Sequence, residues 1–148
     1  MTKPESKSQT LGSIWQLSSD GFSREDRFDA WHSAVSEFND VVVPVDLRHA
    51  FEAATSYWQI GSLVLVNSTA SRLRLVRGAA MAARDQLDHD VVVVFAAGES
   101  VSEVRGQTYR LCAGDVAFAS LRDGYDFRVT TDRAAWQELI LPGDLRDK

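Results

Sequence analysis

Arg105-Gly106-Gln107-Thr108-Tyr109-Arg110-Leu111-Cys112-Ala113-Gly114-Asp115 is the stretch whose reading decides the fold. It links short strand-like runs, Val101–Val104 before it and Val116–Ala119 after it, and closes on a Gly-Asp turn. Gly106 and Gly114 stand where the chain reverses, and Thr108–Leu111 between them is long enough for one short strand. The stretch reads as one hairpin of a small β-barrel, with Gly106, Gly114 and Asp115 as its structural motif.

Working outward, the same texture runs from Val41 onward: short apolar or alternating segments separated by Gly, Asp, Asn and Ser. The pattern predicts strands at Val41–Val45, Phe51–Ile60, Leu63–Ser68, Leu73–Arg77, Val91–Ala96, Val101–Val104, Thr108–Leu111, Val116–Ala119, Tyr125–Thr130 and Trp136–Leu141. Pro44 belongs at an edge or a bulge, since it cannot donate to a ladder. Val91-Val92-Val93-Val94-Phe95 is apolar on both faces, which implies a strand covered on one side by the barrel interior and on the other by a helix. Gly78–Gln86 has high helix propensity yet sits among strands, and reads as a strand or an irregular connection.

A helix precedes the strands. Ser23 suits a helix start by accepting from a free backbone amide, and Glu25 and Asp26 suit the positive end of the dipole. Phe28, Trp31, Val35 and Phe38 then recur at spacings of three and four and form one apolar stripe, with Asn39-Asp40 as the stop. Residues 1–10 read as a flexible tail and 11–148 as one domain, in which Leu11–Trp15 is an apolar arm able to dock. Helix first and strands after make this a mainly β (α+β) chain.

Composition narrows the function classes. The chain has 148 residues, 45% hydrophobic and 25% charged, and no apolar run long enough to span a bilayer. No secretory signal follows the polar N-terminus, and one cysteine forms no internal disulfide, so the expected location is cytoplasmic, with no membrane partner. A net charge of −5 argues against direct nucleic-acid binding. Arg72 and Arg74 share a strand face, but no stacking aromatics lie between them, and a solvated face is expected.

Catalytic patterns do not stand out in the sequence. His32, His49 and His89 lack ligand-spaced partners, so no metal and no cofactor is expected. Asp88-His89-Asp90 reads as a polar turn before a buried strand. Cys112 reads as a small buried filler rather than an activated thiolate, and no Gly-x-Ser-x-Gly elbow or phosphate loop occurs. No catalytic residue is assigned. The aromatic strand is more suggestive: Phe51, Ala53, Thr55, Tyr57 and Gln59 share a face that mixes apolar and hydrogen-bonding groups. Such a face suits either a ligand cavity or plain barrel filling. Thr55, Tyr57, Gln59 and, from the arm, Trp15 are the expected ligand-binding residues.

The spacing of Gly106, position 112 and Gly114-Asp115 resembles the second motif of cupin-type barrels, where Pro is usual at the constrained position and a metal-binding His follows. Here Cys112 and Ala117 take those places, so the resemblance implies a cupin-like barrel or jelly roll without the metal chemistry. Over Phe22 to Leu145 the chain further resembles the N-terminal AraC-binding-like domain of AraC/XylS-type transcription regulators. The resemblance rests on Phe22-Ser23, Arg27-Phe28 and Trp31; Phe51, Ala53 and Ile60-Gly61-Ser62-Leu63; Arg77; Gly98; Gly106 with Leu111, Gly114 and Asp115; Tyr125; and Leu139-Ile140-Leu141-Pro142 with Leu145. Cys112 and Gly124 stand where Pro is usual. The resemblance implies a small-molecule effector bound in the barrel, a homodimer, and DNA contact only through a helix-turn-helix domain that is not within these residues. A small cupin-type enzyme, a stand-alone binding protein and a pure dimerisation module are the alternatives.

Overall fold

A computed structural model describes residues 15–147, and in it strand alternation organises most of the chain. Among the described residues eleven strands form: β1 Trp15–Ser18, β2 Asp40–Val42, β3 Ala53–Ile60, β4 Leu63–Ser71, β5 Arg74–Arg77, β6 Asp90–Ala97, β7 Glu99–Val104, β8 Gln107–Cys112, β9 Val116–Ser120, β10 Tyr125–Val129 and β11 Arg133–Leu141. Two helices accompany them, α1 Arg27–Val35 and α2 Ala79–Asp85, with 3₁₀ turns at Ser19–Gly21, Val45–Ala50 and Gly143–Asp147. The strands make a six-stranded sheet, β1-β3-β4-β11-β6-β9, and a five-stranded sheet, β2-β5-β10-β7-β8. Every pairing is antiparallel. The mainly β, cupin-like expectation is met.

The core lies between the sheets. Phe95 of β6 stacks with Trp136 of β11 at 6.2 Å, and Phe127 of β10 closes the cluster at 5.2 Å from Trp136. Burying each such ring contributes roughly 2 kcal/mol. A second knot joins Phe28 and Trp31 of α1 to the fully buried Phe51, at 5.7 and 6.2 Å.

The opening stretch resolves into two different turns. The β7–β8 hairpin turns at Arg105-Gly106, both at positive φ (52° and 74°), a two-residue reversal in which glycine is favoured. The Gly114-Asp115 turn is instead a corner between sheets, carrying the chain from β8 in one to β9 in the other. Asp115 Oδ2 accepts from the Cys112 backbone N–H at 2.7 Å, and backbone bonds from Gly114 and to Asp115 tie the corner to Phe95. A proline at 112 has no N–H to give, so Cys112 fits this corner where Pro does not.

Several expectations are corrected. Gly78–Gln86 holds helix α2, because its alanine-rich propensity is supported by two anchors at its C-terminal end: Arg77 grips Asp85, and Gln86 ends the helix in the left-handed region (φ 53°). The first helix stops at Val35, and Phe38 lies beyond it, 50% exposed. Ser23 does not cap that helix; its hydroxyl donates to the Asp26 carboxylate. β2 ends at Val42, and Pro44 instead introduces the 3₁₀ turn at Val45–Ala50. The valine run of β6 is not covered on both faces: α1 packs against β2 and the two flanking 3₁₀ turns, leaving Val94 39% exposed. β1 is an additional edge strand, paired antiparallel with β3. The tail and Leu11–Ile14 lie outside the described residues.

Candidate functional site

Strand register sets the site. Crossing the six-stranded sheet at one level, Trp15, Tyr57, Val66, Glu138, Val93 and Ala117 stand opposite one another. The next level holds Leu17, Thr55, Ser68, Trp136 and Phe95. Trp136 and Phe95 belong to the core, so side-chain alternation turns Glu138, Tyr57 and Thr55 inward with them. Glu138 is therefore a carboxylate on the inner face of a strand that pairs on both sides.

Each expected ligand-binding residue has a definite place. Thr55 is buried and shares a 2.9 Å hydrogen bond with Ser68 on β4. Tyr57 is half-buried, and Trp15, 40% exposed at the sheet edge, meets its ring edge-on at 5.1 Å. Gln59 is exposed at the β3–β4 turn, where its amide donates to the Gly61 carbonyl at 3.2 Å. The structure thus gathers Trp15, Tyr57 and Thr55 and leaves Gln59 at the turn.

Glu138 is the residue that sequence reading missed. Burial pushes its carboxyl up to about 7, against the opposing pull of a hydrogen bond from Trp136. Burial, with the Glu138 charge behind it, also raises the Tyr57 phenol. Across the interior, Tyr125 at the start of β10 is raised by burial, then by Glu138 and, more weakly, by Tyr57, with Arg77 opposing; its hydroxyl donates to Asn39 Oδ1. Two phenols and a carboxyl from three strands, each partly buried, therefore influence one another's charge. The signal was present in the alternation Ala134, Trp136, Glu138, Ile140: an acid at an inward position of a core strand.

Beside this region Arg77 is fixed in place. Its side chain is 1% exposed and forms a two-pronged pair with Asp85 at 2.6 and 2.7 Å, while donating to the Leu121 and Phe38 carbonyls. That pair holds the Asp85 carboxyl down at about 2. Gly124 has φ +67° and lies against Arg77, where a Cβ would come within 2.4 Å of the Arg77 carbonyl oxygen. Proline cannot adopt that φ, which explains Gly124 at a position where the resemblance leads one to expect Pro. Arg74 points outward and is gripped by Asp126 at 2.6 and 2.8 Å, and Arg72 is exposed beside Asp132. Cys112 Sγ lies 3.8 Å from Glu99.

Two of the surface depressions among the described residues bear on the site. One of about 220 Å³ lies at the same end as Arg77 and Tyr125 and is lined also by Glu103, Arg105 and Asp123. The other, about 230 Å³, lies on the outer face of the six-stranded sheet among Trp58, Ile60, Leu65, Asn67 and Gln137. That outer face is broadly apolar, ending in Val116 and Phe118, the latter 68% exposed. Among the described residues no three His, Cys, Asp or Glu side chains converge as metal ligands. None of the described helices is long and apolar enough to cross a membrane.

No family model matches the sequence, and no curated protein matches it. Solved structures do. The AraC-like transcriptional activator CuxR superposes with a TM-score of 0.80 at 25% identity, over 88% of this chain and 48% of that one. The cupin domain of Schizosaccharomyces pombe Cnp3 superposes with a TM-score of 0.51 at 10% identity, over 66% of this chain and 65% of that one, a likeness of fold alone. The chain spans about half the length of the activator. Sheet order, corner and similarity agree on a cupin-like fold, and the chain is similar to an AraC-like transcriptional activator over most of its length.

Proposed function

We propose that this regulatory cupin-like domain senses a small-molecule effector at the inner row of Trp15, Tyr57 and Glu138, with Thr55 beneath it. The observation that carries the proposal is a polar, titratable row on the inner face of a barrel similar to an AraC-like activator. A purely structural core has no need of an inward carboxyl, because burying one costs stability. Effector binding there bears directly on β1, whose Trp15 contacts Tyr57. To act as a switch, the effector must favour one arrangement by about 1–3 kcal/mol. We further propose that the domain works as a homodimer and that DNA contact comes from a helix-turn-helix domain outside residues 1–148. The row is assigned binding, not catalysis.

The test is a thermal-shift screen of small metabolites against the wild type and Tyr57→Ala. A ligand that binds the folded state raises the melting temperature. The expected outcome is at least one such metabolite whose affinity drops on the order of tenfold, about 1.4 kcal/mol, in Tyr57→Ala. Hits that bind Tyr57→Ala as tightly as the wild type would sink this site.

A further inference from the structure

We infer that a second copy of this chain docks on the outer face of the six-stranded sheet, each copy seating its Phe118 in the other's hollow beside Trp58 and Leu65. This rests on the homodimer reading and names its contact surface; it is independent of where an effector binds.

Charge is nearly absent from this face. Strands β1, β3, β4 and β9 contain no charged residue, in a chain that is 25% charged. On β6 and β11, Asp90 is buried, Glu138 alternates inward with Trp136, and Arg133 lies at one end beside Glu52. In place of charge, the register lines up Trp58, Leu65, Leu139, Val92 and Phe118 on one level, an apolar side chain from each of five neighbouring strands. Val94 and Val116 widen the band on the next level. An antiparallel sheet that meets water presents polar side chains outward, so a band of this kind marks a face that is covered. The five-stranded sheet, by contrast, carries Arg74, Asp126, Arg128 and Arg110.

Shape selects the occupant. Strand β11 is the middle of the five, with β4 and β3 on one side and β6 and β9 on the other. On the β9 side Phe118 stands out, 68% exposed; on the β3 side lies the depression of about 230 Å³ among Trp58, Ile60, Leu65, Asn67 and Gln137. A cavity of ~150 Å³ accepts a benzene ring, so the depression has room for a phenyl group. A two-fold axis running along β11, between two stacked faces, exchanges the two sides. Each Phe118 then lies over the other copy's depression, and the contact is made twice. The face is thus complementary to itself. Its extent agrees: five strands ~4.8 Å apart and three outward levels ~6.7 Å apart cover about 500 Å² in plan. Side-chain relief brings the accessible area towards the ~800 Å² per partner of a standard interface.

Sedimentation equilibrium on the 148-residue chain tests this with Phe118→Lys, Asn67→Glu in the hollow and, on the other sheet, the control Tyr109→Lys. All three sites are exposed, so the variants fold, which their melting temperatures verify. The expected result is that wild type and Tyr109→Lys dimerise alike, whereas Phe118→Lys and Asn67→Glu each weaken dimerisation on the order of a hundredfold. Mixing these two variants should restore a dimer, because the introduced lysine of one copy meets the introduced glutamate of the other while the second contact stays native. A wild type that remains monomeric overturns this inference and the homodimer reading together. A wild-type dimer that Phe118→Lys leaves intact, or a mixture that does not reassociate, overturns the surface assigned here and leaves the homodimer reading standing.

Discussion

Single residues govern how stability responds to pH. Glu138 has its folded value raised to about 7 from an ordinary 4.5, so the folded state holds its proton more tightly than the unfolded chain. The stability this confers is complete below about 4.5 and is lost as pH rises through about 7. Asp85 and Asp126 act in the opposite sense: hydrogen bonds from Arg77 and Arg74 respectively lower both to about 2, so their contribution is present above the ordinary 3.8 and lost as pH falls through about 2. Chemical denaturation from pH 5 to pH 8 is therefore expected to show wild-type stability declining, and Glu138→Gln flat across the same window. A parallel decline in both proteins would remove Glu138 as its cause. Cys112 and Gly124 teach the same lesson at this scale. Each departs from the proline that the resemblance leads one to expect, once because a backbone N–H is used and once because φ is positive.

Elements show where local sequence and tertiary context part company. The strands from β3 to β11 were legible because turn residues punctuate an apolar alternation, and the face of Thr55 and Tyr57 follows from its period of two. Helix α2 was not legible as a helix. It has seven residues, too few to be stable alone, and depends on Arg77, eight residues before Asp85, to hold its end. Edge strand β1 escaped notice because its four residues lack alternation, and its place is set by pairing with a strand almost forty positions later. Glu138 was hidden by composition: glutamate in a strand reads as a surface residue until its register with Val66 and Val93 is known. The Arg77–Asp85 pair carries a prediction of its own. Asp85→Ala leaves a buried guanidinium with carbonyls alone, and the melting temperature should fall on the order of 10 °C. Asp126→Ala, which frees the half-exposed Arg74, should shift it far less. Equal losses would mean that burial of Arg77 is not what makes its pair matter.

At the scale of the whole molecule, the two sheets divide their duties. The five-stranded sheet carries the outward charge network of Arg74, Asp126 and Arg128, whereas the six-stranded sheet presents apolar side chains outward and the candidate site inward. For the proposed homodimer, light scattering across a concentration series should give twice the 16.4 kDa chain mass. A mass that stays at one chain up to high micromolar concentration would argue that these residues alone do not assemble.

The placement of two tryptophans gives the inner row a voice of its own. Trp136 donates its indole N–H toward Glu138, and Trp15 lies against Tyr57 on the same level of the sheet. Indole emission depends on nearby charge and on access to water, so the protein's own fluorescence is expected to change in colour or intensity as pH carries Glu138 through about 7, and to lose that change in Glu138→Gln. An emission titration of wild type against Glu138→Gln would thus read the interior without a label.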